Sequence, residues 1–162
     1  MTRIFSVGVI AALLVSTAAV AQDLPTVKSV DVSVELAAIG NEKAAAYWTS
    51  IADDLENAIV ARITNQIADD GVDLTVDIEE VSLSNGFEET LGLADTRLVA
   101  TVVQKSDTDE RRSRTYELAL DVNQATPMIP ADVDVTTLPA DTRVYYDAMI
   151  AAFAEQVVTR LE

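Results

Sequence analysis

The sequence contains no cysteine and no histidine among its 162 residues. Without cysteine the chain has no disulfide and no thiol nucleophile. Without histidine it lacks the side chain that most often acts as a general base near neutral pH. The usual zinc sites, which combine these two residue types, are excluded as well. We therefore predict no catalytic residue, no metal site and no cofactor site, and we predict that the protein is not an enzyme.

Aromatic residues are few, with one Trp, four Tyr and three Phe. A pair of carboxylates can still hydrolyse a glycosidic bond without histidine or cysteine, but such a site needs a cleft lined by aromatic sugar platforms. Two carboxylate pairs, Glu79-Glu80 and Glu88-Glu89, are adjacent in the sequence. Adjacent residues of a strand point to opposite faces, so neither pair indicates a catalytic dyad. A carboxylate-only hydrolase is therefore the third of three functional hypotheses.

Basic residues are scarce, with 11 Lys and Arg against 27 Asp and Glu, so the formal net charge is −16. Nucleic acid is excluded as a partner because phosphate binding needs a clustered positive surface. Such an excess of acid keeps a protein dispersed and repels anionic membranes. A second interpretation is that an acidic face recruits a basic partner or metal cations.

The N-terminal segment has the three parts of an export signal. A short basic start, Met1–Arg3, precedes an apolar run, Ile4–Val15, and the small-residue pattern Ala19-Val20-Ala21 follows. The run is shorter than the roughly 20 residues that span a bilayer, which argues against an uncleaved anchor. We predict a signal peptide over residues 1–21 that is cleaved after Ala21, leaving a single domain over residues 22–162. The mature protein would be periplasmic or secreted and would not span a membrane.

The first part of that domain predicts a strand and a helix. Residues alternate between apolar and polar from Val30 to Leu36, within a strand predicted from Val27. Asn41 suits the N-cap of the helix, and Gly71 lies where a left-handed residue would end it. Trp48, at a helical spacing, is more typical of a core residue than of a ligand platform. The apolar stripe of this helix is Trp48, Ile51, Leu55, Ile59, Ile63 and Ile67.

Three further strands follow. The second begins at Val72, and its alternation slips at Glu79-Glu80, which indicates a β-bulge or a strand that turns to another face. The third, Arg97 to Lys105, is apolar on both faces and is predicted to be central in the sheet. A tip over residues 106–110 leads into the fourth strand, Arg111 to Val122.

A connector with three prolines, at 127, 130 and 139, leads to a last helix for which Asp141 or Thr137 can be the cap. The apolar stripe of that helix is Tyr146, Met149, Ile150, Phe153, Val157 and Leu161. The order β-α-β-β-β-α predicts an α+β two-layer sandwich, with two helices on one face of a four-stranded mixed sheet. The first two strands would be parallel, and the third and fourth antiparallel.

Two local clusters carry charge. Arg111, Arg112 and Arg114 either pair with the acidic residues before them or form a patch that docks an anion or a partner. Arg112 and Arg114 share the strand phase of Tyr116. The acidic residues of the tip, Asp107, Asp109 and Glu110, alternate as the start of a weak calcium site would. They lack the glycine and the distant bidentate Glu of a calcium loop, so a solvated tip is favoured.

The order of elements behind an export signal resembles small periplasmic proteins of envelope transport: the lipopolysaccharide-assembly lipoproteins and the auxiliary lipoproteins of ABC-type lipid transporters. The closing helix, Tyr145 to Val158, and the segment Ala45-Ala46-Tyr47-Trp48 are similar to helices of the auxiliary group. Those families carry a lipid-modified Cys at the cleavage site, where this chain has Gln22. The resemblance implies a non-enzymatic accessory protein of the bacterial cell envelope, with another envelope protein as partner. The alternative is a binding module for a small apolar or lipidic ligand.

Overall fold

One mixed sheet of four strands organises the protein, in the spatial order β1-β2-β3-β4. The computed structural model describes residues 25–34, 49–82, 97–134 and 143–161. The strands are β1 (Val27–Val34), β2 (Val72–Ser82), β3 (Arg97–Lys105) and β4 (Arg114–Asp121). β1 pairs in parallel with β2, and the other two pairings are antiparallel. The predicted mixed sheet is confirmed, including the parallel β1–β2 pairing and the antiparallel β3–β4 pairing.

Two long helices cover one face of this sheet. The helices are α1 (Ile51–Arg62), a single turn α2 (Val122–Ala125) and α3 (Arg143–Thr159). Short 3-10 turns occupy Thr64–Gln66, Glu110–Arg112 and Thr126–Met128. α1 and α3 pack against each other, and their buried side chains join one core cluster with those of the strands. The predicted α+β architecture, with both long helices on the same face, is therefore confirmed.

The core lies between the helices and the inner face of the sheet. The strand register aligns Val32, Val76 and Val102 across three strands, and all three belong to this core or pack against it. Burying an aliphatic or aromatic side chain of this size contributes about 1.5 to 3 kcal/mol. Phe153 is fully buried, as predicted, whereas Trp48 lies outside the described residues. The apolar stripe predicted for α3 is buried throughout: Tyr146, Met149, Ile150, Phe153, Val157 and Leu161.

The end of α1 differs from the prediction. The helix stops at Arg62 instead of continuing to Ile67, which is half exposed and forms an isolated parallel bridge with Val27. Thr64 explains the stop, because its hydroxyl donates to the carbonyls of Val60 and Ala61 at 3.2 and 3.1 Å. Such side-chain bonds satisfy carbonyls that have no partner at a helix end. The predicted N-cap, Asn41, lies outside the described residues.

Gly71 does not cap the helix. Its amide donates to the carbonyl of Ala68 at 3.0 Å, in the turn that leads into β2. A Cβ atom on Gly71 would lie 2.4 Å from the carbonyl carbon of Val27, a distance that real Cβ atoms essentially never show. The position therefore requires glycine because the backbone that starts β1 passes directly over it.

The remaining strands follow the prediction closely, except that β4 is shorter at both ends, where Val122 already belongs to α2. The β2–β3 register shifts between Ile78 and Glu80, so the predicted β-bulge is confirmed. β3 has neighbours on both sides, as predicted. β4 begins at Arg114 rather than Arg111, because the side chain of Asp109 accepts the Arg111 amide and starts a 3-10 turn. No helix in the described ranges is both long and apolar enough to cross a membrane.

Candidate functional site

The three arginines of the predicted partner patch make three different contacts. The side chain of Arg111 is 90% exposed, and its Nε and Nη2 donate to the two carboxylate oxygens of Asp109. Arg112 lies in the 3-10 turn rather than on the strand, and its Nη2 donates to the carbonyl and hydroxyl of Thr26 at 3.2 and 3.3 Å. It therefore links the hairpin to the start of β1.

Arg114 belongs to a network at the end of the sheet. Its Nε donates to Gln104 Oε1 at 3.1 Å, and its guanidinium carbon lies 5.5 Å from the centre of the Tyr116 ring. Gln104 is 1% exposed, and its amide donates to the carbonyl of Arg160 at the end of α3. The Arg160 guanidinium lies 5.6 Å from the same ring. Arg114 thus shares the strand phase of Tyr116, as predicted, and connects β4 through Gln104 to the helical layer.

The acidic hairpin tip is engaged by cations of the chain itself. Asp107 Oδ2 accepts from Lys28 Nζ at 3.3 Å, and Asp109 accepts from Arg111. Within the residues that the structure describes, no three carboxylates, histidines or cysteines converge as a metal site would need. The Glu88-Glu89 pair lies outside those residues, and Glu79 accepts a hydrogen bond from Thr101 at 2.6 Å.

A groove runs along the outer surface between α1 and α3, with a volume of about 220 Å³. Asp54, Ala58 and Arg62, one helical turn apart, form its α1 wall. The groove therefore has charged ends and a small apolar middle. Its α3 wall consists of Arg143, Tyr146, Asp147, Ile150 and Ala151.

Asp54 and Tyr146 form the floor near the first turn of α1. The Tyr146 hydroxyl donates to Asp54 Oδ2 at 2.5 Å, and the Ser50 hydroxyl donates to the same oxygen at 2.9 Å. These bonds lower the pKa of the Asp54 carboxyl, with that of Tyr146 contributing most, although burial acts in the opposite direction. Burial, followed by the bond to Asp54, raises the pKa of the Tyr146 hydroxyl. The carboxylate is therefore held in its charged form and the phenol in its neutral form.

Arg62 closes one end of the groove and joins the two helices. Its Nη1 donates to the carbonyl of Ala58 at 2.9 Å, and its Nη2 donates to the carbonyl of Ala151 on α3 at 3.1 Å. Its Nε donates to Glu155 at 3.3 Å. All three nitrogens have partners in fixed positions, so the main contribution of Arg62 is structural.

Arg143 lies at the other end, on the surface. Its guanidinium carbon is 5.0 Å from the centre of the Tyr146 ring, and its Nε is 2.8 Å from Asp147 Oδ1. The side chain of Arg143 is 62% exposed and that of Asp147 is 57% exposed. Unlike Arg62, it has no hydrogen bond to a backbone carbonyl among the contacts of the described residues.

Little in the sequence indicates this groove. Tyr146 was assigned to the apolar stripe, where its ring does lie, but its hydroxyl bonds to a residue 92 positions away. No local pattern predicts that pairing. The spacing of Arg143 and Asp147 at i and i+4 is the one available signal, because oppositely charged residues at this spacing are neighbours on a helix.

Comparisons with protein families and with curated sequences do not assign a function to the chain, so the geometry described above is the basis for the proposal. No protein-family model matches the chain, and no curated protein sequence is significantly similar to it. The resemblance to envelope-transport lipoproteins therefore stays a prediction from the pattern of elements, and fold likeness alone is weak evidence for function.

Proposed function

We propose that the protein is an exported, non-enzymatic interaction or accessory protein of the bacterial cell envelope, with another envelope protein as its partner. Two lines of argument support the proposal. The first is the sequence of residues 1–21, which has the charge, apolar length and small-residue pattern of a cleaved export signal. The second is that acidic side chains of the folded domain are held in their charged form by hydrogen bonds.

The observation that carries the proposal is that acidic side chains of the folded domain accept hydrogen bonds from neighbouring donors, as Asp54 does from Tyr146, Asp73 from Ser29 and Asp109 from Arg111. Among the described residues, the pKa is lowered for Asp54 by the hydrogen bond from Tyr146, for Asp73 by that from Ser29 and for Asp109 by that from Arg111. A carboxyl that acts as a general acid needs a raised pKa. Carboxylates held in the charged form are suited to binding cations and hydrogen-bond donors instead. None of these three carboxyls is therefore suited to be the general acid of a carboxylate-only hydrolase.

The groove also favours a protein partner over a lipidic ligand. Sites for small molecules are typically apolar clefts of about 300 to 1,000 Å³ that enclose most of the ligand. The groove described above holds about 220 Å³, is open to solvent and has arginine and aspartate at its ends. Its size and polarity suit a side chain of a partner protein better than an acyl chain.

The test uses the full-length precursor with a C-terminal affinity tag, expressed in the source organism. Cells are cross-linked and fractionated, and the purified protein is analysed by N-terminal sequencing and by mass spectrometry for proteins and lipids. We expect a mature N-terminus at Gln22 in the periplasmic or secreted fraction, together with a reproducible cross-linked envelope protein. Intact Met1 in the cytoplasm, or a stoichiometric lipid without a protein partner, would overturn the proposal.

A variant of the leader provides the matched control. Signal peptidase accepts only small side chains at the position before the cut, so Ala21→Arg should block processing. The unprocessed variant should retain Met1 together with the apolar run of the leader. A mature N-terminus at Gln22 in this variant would contradict the predicted cleavage site.

A further inference from the structure

Arg143 lies beside an aromatic ring and a carboxylate, the two groups that together bind a guanidinium group well. The face of an aromatic ring attracts a cation, and a carboxylate beside it accepts the N–H groups. Tyr146 provides the ring, at 5.0 Å from the guanidinium carbon, and Asp147 provides a carboxylate, at 2.8 Å from Nε. Asp54 lines the same groove and holds the Tyr146 hydroxyl.

Arg143 is held there weakly. Both it and Asp147 are more than half exposed, and exposed ion pairs contribute little to stability. The ion pair with Asp147 therefore gives little reason for an arginine at this position. Arg62, which donates to backbone carbonyls on both helices, shows how a structural arginine of the same groove is fixed.

The net charge of the protein and the size of the groove indicate what could replace Arg143. With a formal net charge of −16, the protein attracts basic partners and repels acidic ones over long distances. A volume of about 220 Å³ leaves room for a long side chain but not for a folded element. The apolar middle of the groove, formed by Ala58, Ile150 and Ala151, suits the methylene groups of arginine or lysine.

We propose that the groove between α1 and α3 binds an arginine or lysine side chain from a basic segment of a partner protein, and that Arg143 is an internal occupant which this side chain displaces. The incoming cation lies over the Tyr146 ring and pairs with Asp147, while Arg143 moves into solvent. The inference deepens the proposed accessory function, on which it rests, by naming the surface and the chemistry of the partner.

The test compares two substitutions that change the net charge equally. Arg143→Gln removes the guanidinium that contacts the Tyr146 ring and Asp147, whereas Arg97→Gln removes an exposed arginine from β3 on the opposite face of the sheet. The probe is a short fluorescein-labelled peptide of glycine, serine and arginine, titrated by anisotropy with the mature protein. We expect Arg143→Gln to bind this peptide about five-fold more tightly than Arg97→Gln does. Equal affinities of the two variants would show that only the net charge of the protein affects binding, which would overturn the proposal. Absence of peptide binding by both variants would overturn it as well.

A second pair of substitutions tests the carboxylate. Asp147→Asn removes the negative charge of the carboxylate in the groove, and Asp31→Asn removes an exposed carboxylate of the same charge from β1. Asp147→Asn should weaken peptide binding more than Asp31→Asn does, whereas equal losses would contradict the site. Because both aspartates are exposed, we expect the variants to unfold at the wild-type temperature, which circular dichroism checks. The partner identified by cross-linking should also bind Arg143→Gln more tightly than Arg97→Gln, and Asp31→Asn more tightly than Asp147→Asn.

The two proposals can fail separately. If the purified envelope partner binds wild-type protein and Asp147→Asn equally, the accessory function stands and the groove is not its docking site. If no envelope partner exists but the peptide series behaves as expected, the groove binds basic segments and the proposed envelope role falls.

Discussion

The hydroxyl of Tyr146 donates a hydrogen bond to Asp54 Oδ2 across the two long helices, with 2.5 Å between the oxygen atoms. Ser50 donates to the same oxygen from the turn before α1. Hydrogen bonds to a charged group are stronger than those between neutral groups. This contact therefore fixes the first turn of α1 to the N-terminal part of α3.

Replacing Tyr146 by Phe should lower the free energy of unfolding by about 1 to 3 kcal/mol, because a charge-assisted bond is lost and Asp54 stays partly buried. Urea denaturation measures the change. Asp54→Asn and the double variant complete a thermodynamic cycle, and Ser50→Ala is the control for the weaker donor. Additive effects of the two single substitutions would show that the bond contributes no coupling energy.

The lowered pKa of Asp54 makes part of the stability depend on pH. Because the folded-state pKa lies below the ordinary value of 3.8, this contribution is complete above that value and is lost as the pH falls through the folded-state pKa. Wild-type protein should therefore lose more stability than Tyr146→Phe on acidification below about pH 4. Thermal unfolding of both proteins between neutral and strongly acidic pH checks this, and parallel curves would contradict it.

Gly71→Ala should destabilise the protein by about 1 to 3 kcal/mol, the usual cost of forcing an extra carbon into a packed position. The added Cβ would meet the backbone of Val27 and Lys28 at 2.4 and 2.6 Å, so β1 must move away from β2. Asp70→Ala, in the same turn but exposed, is the control and should have little effect. Chemical denaturation of both variants gives the comparison. Equal stabilities of Gly71→Ala and Asp70→Ala would mean that β1 can shift to accommodate the added carbon at little cost.

Phe153→Ala should cost about 3 to 5 kcal/mol, because it removes a fully buried aromatic ring from the core. Phe153→Leu refills much of the space and should cost clearly less. Differential scanning calorimetry of the pair measures the difference. A loss below about 1 kcal/mol for the alanine variant would mean that the ring does not pack as the structure shows.

Arg111 and Arg114 should contribute differently to the stability of the protein. Arg111→Gln removes an exposed ion pair and should change the free energy of unfolding by less than about 1 kcal/mol. Arg114→Gln removes the bond to buried Gln104 and the contact with Tyr116, and should cost more, about 1 to 3 kcal/mol. Equally small losses of unfolding free energy in the two variants would mean that the contacts of Arg114 contribute no more than the exposed ion pair of Arg111.

Periodicity was sufficient to predict most of the fold. The bounds of β3, Arg97–Lys105, follow from a continuous apolar run, and the slip at Glu79-Glu80 correctly indicated a β-bulge. The stripe of α3 is buried as its spacing of three and four predicts. These features depend on residues close together in the sequence, and each strand or helix contains enough of them to set its own period.

The errors and omissions involve contacts between distant parts of the chain or single side chains. Thr64 ends α1 by bonding back to the helix, against an apolar stripe that would have continued to Ile67. Gly71 is required by the approach of Val27, which no local pattern reveals. The groove could not be predicted, because its walls come from two helices whose relative position only the assembled core determines.

The division of the core between early and late parts of the chain bears on how the protein folds during synthesis. β2, β3 and β4 are consecutive and antiparallel, so they can pair soon after they leave the ribosome. α3 follows all four strands and supplies Tyr146, Met149 and Phe153 to the core. A nascent chain that ends at β4 therefore lacks a large part of its core, and the core is complete only when α3 has been made.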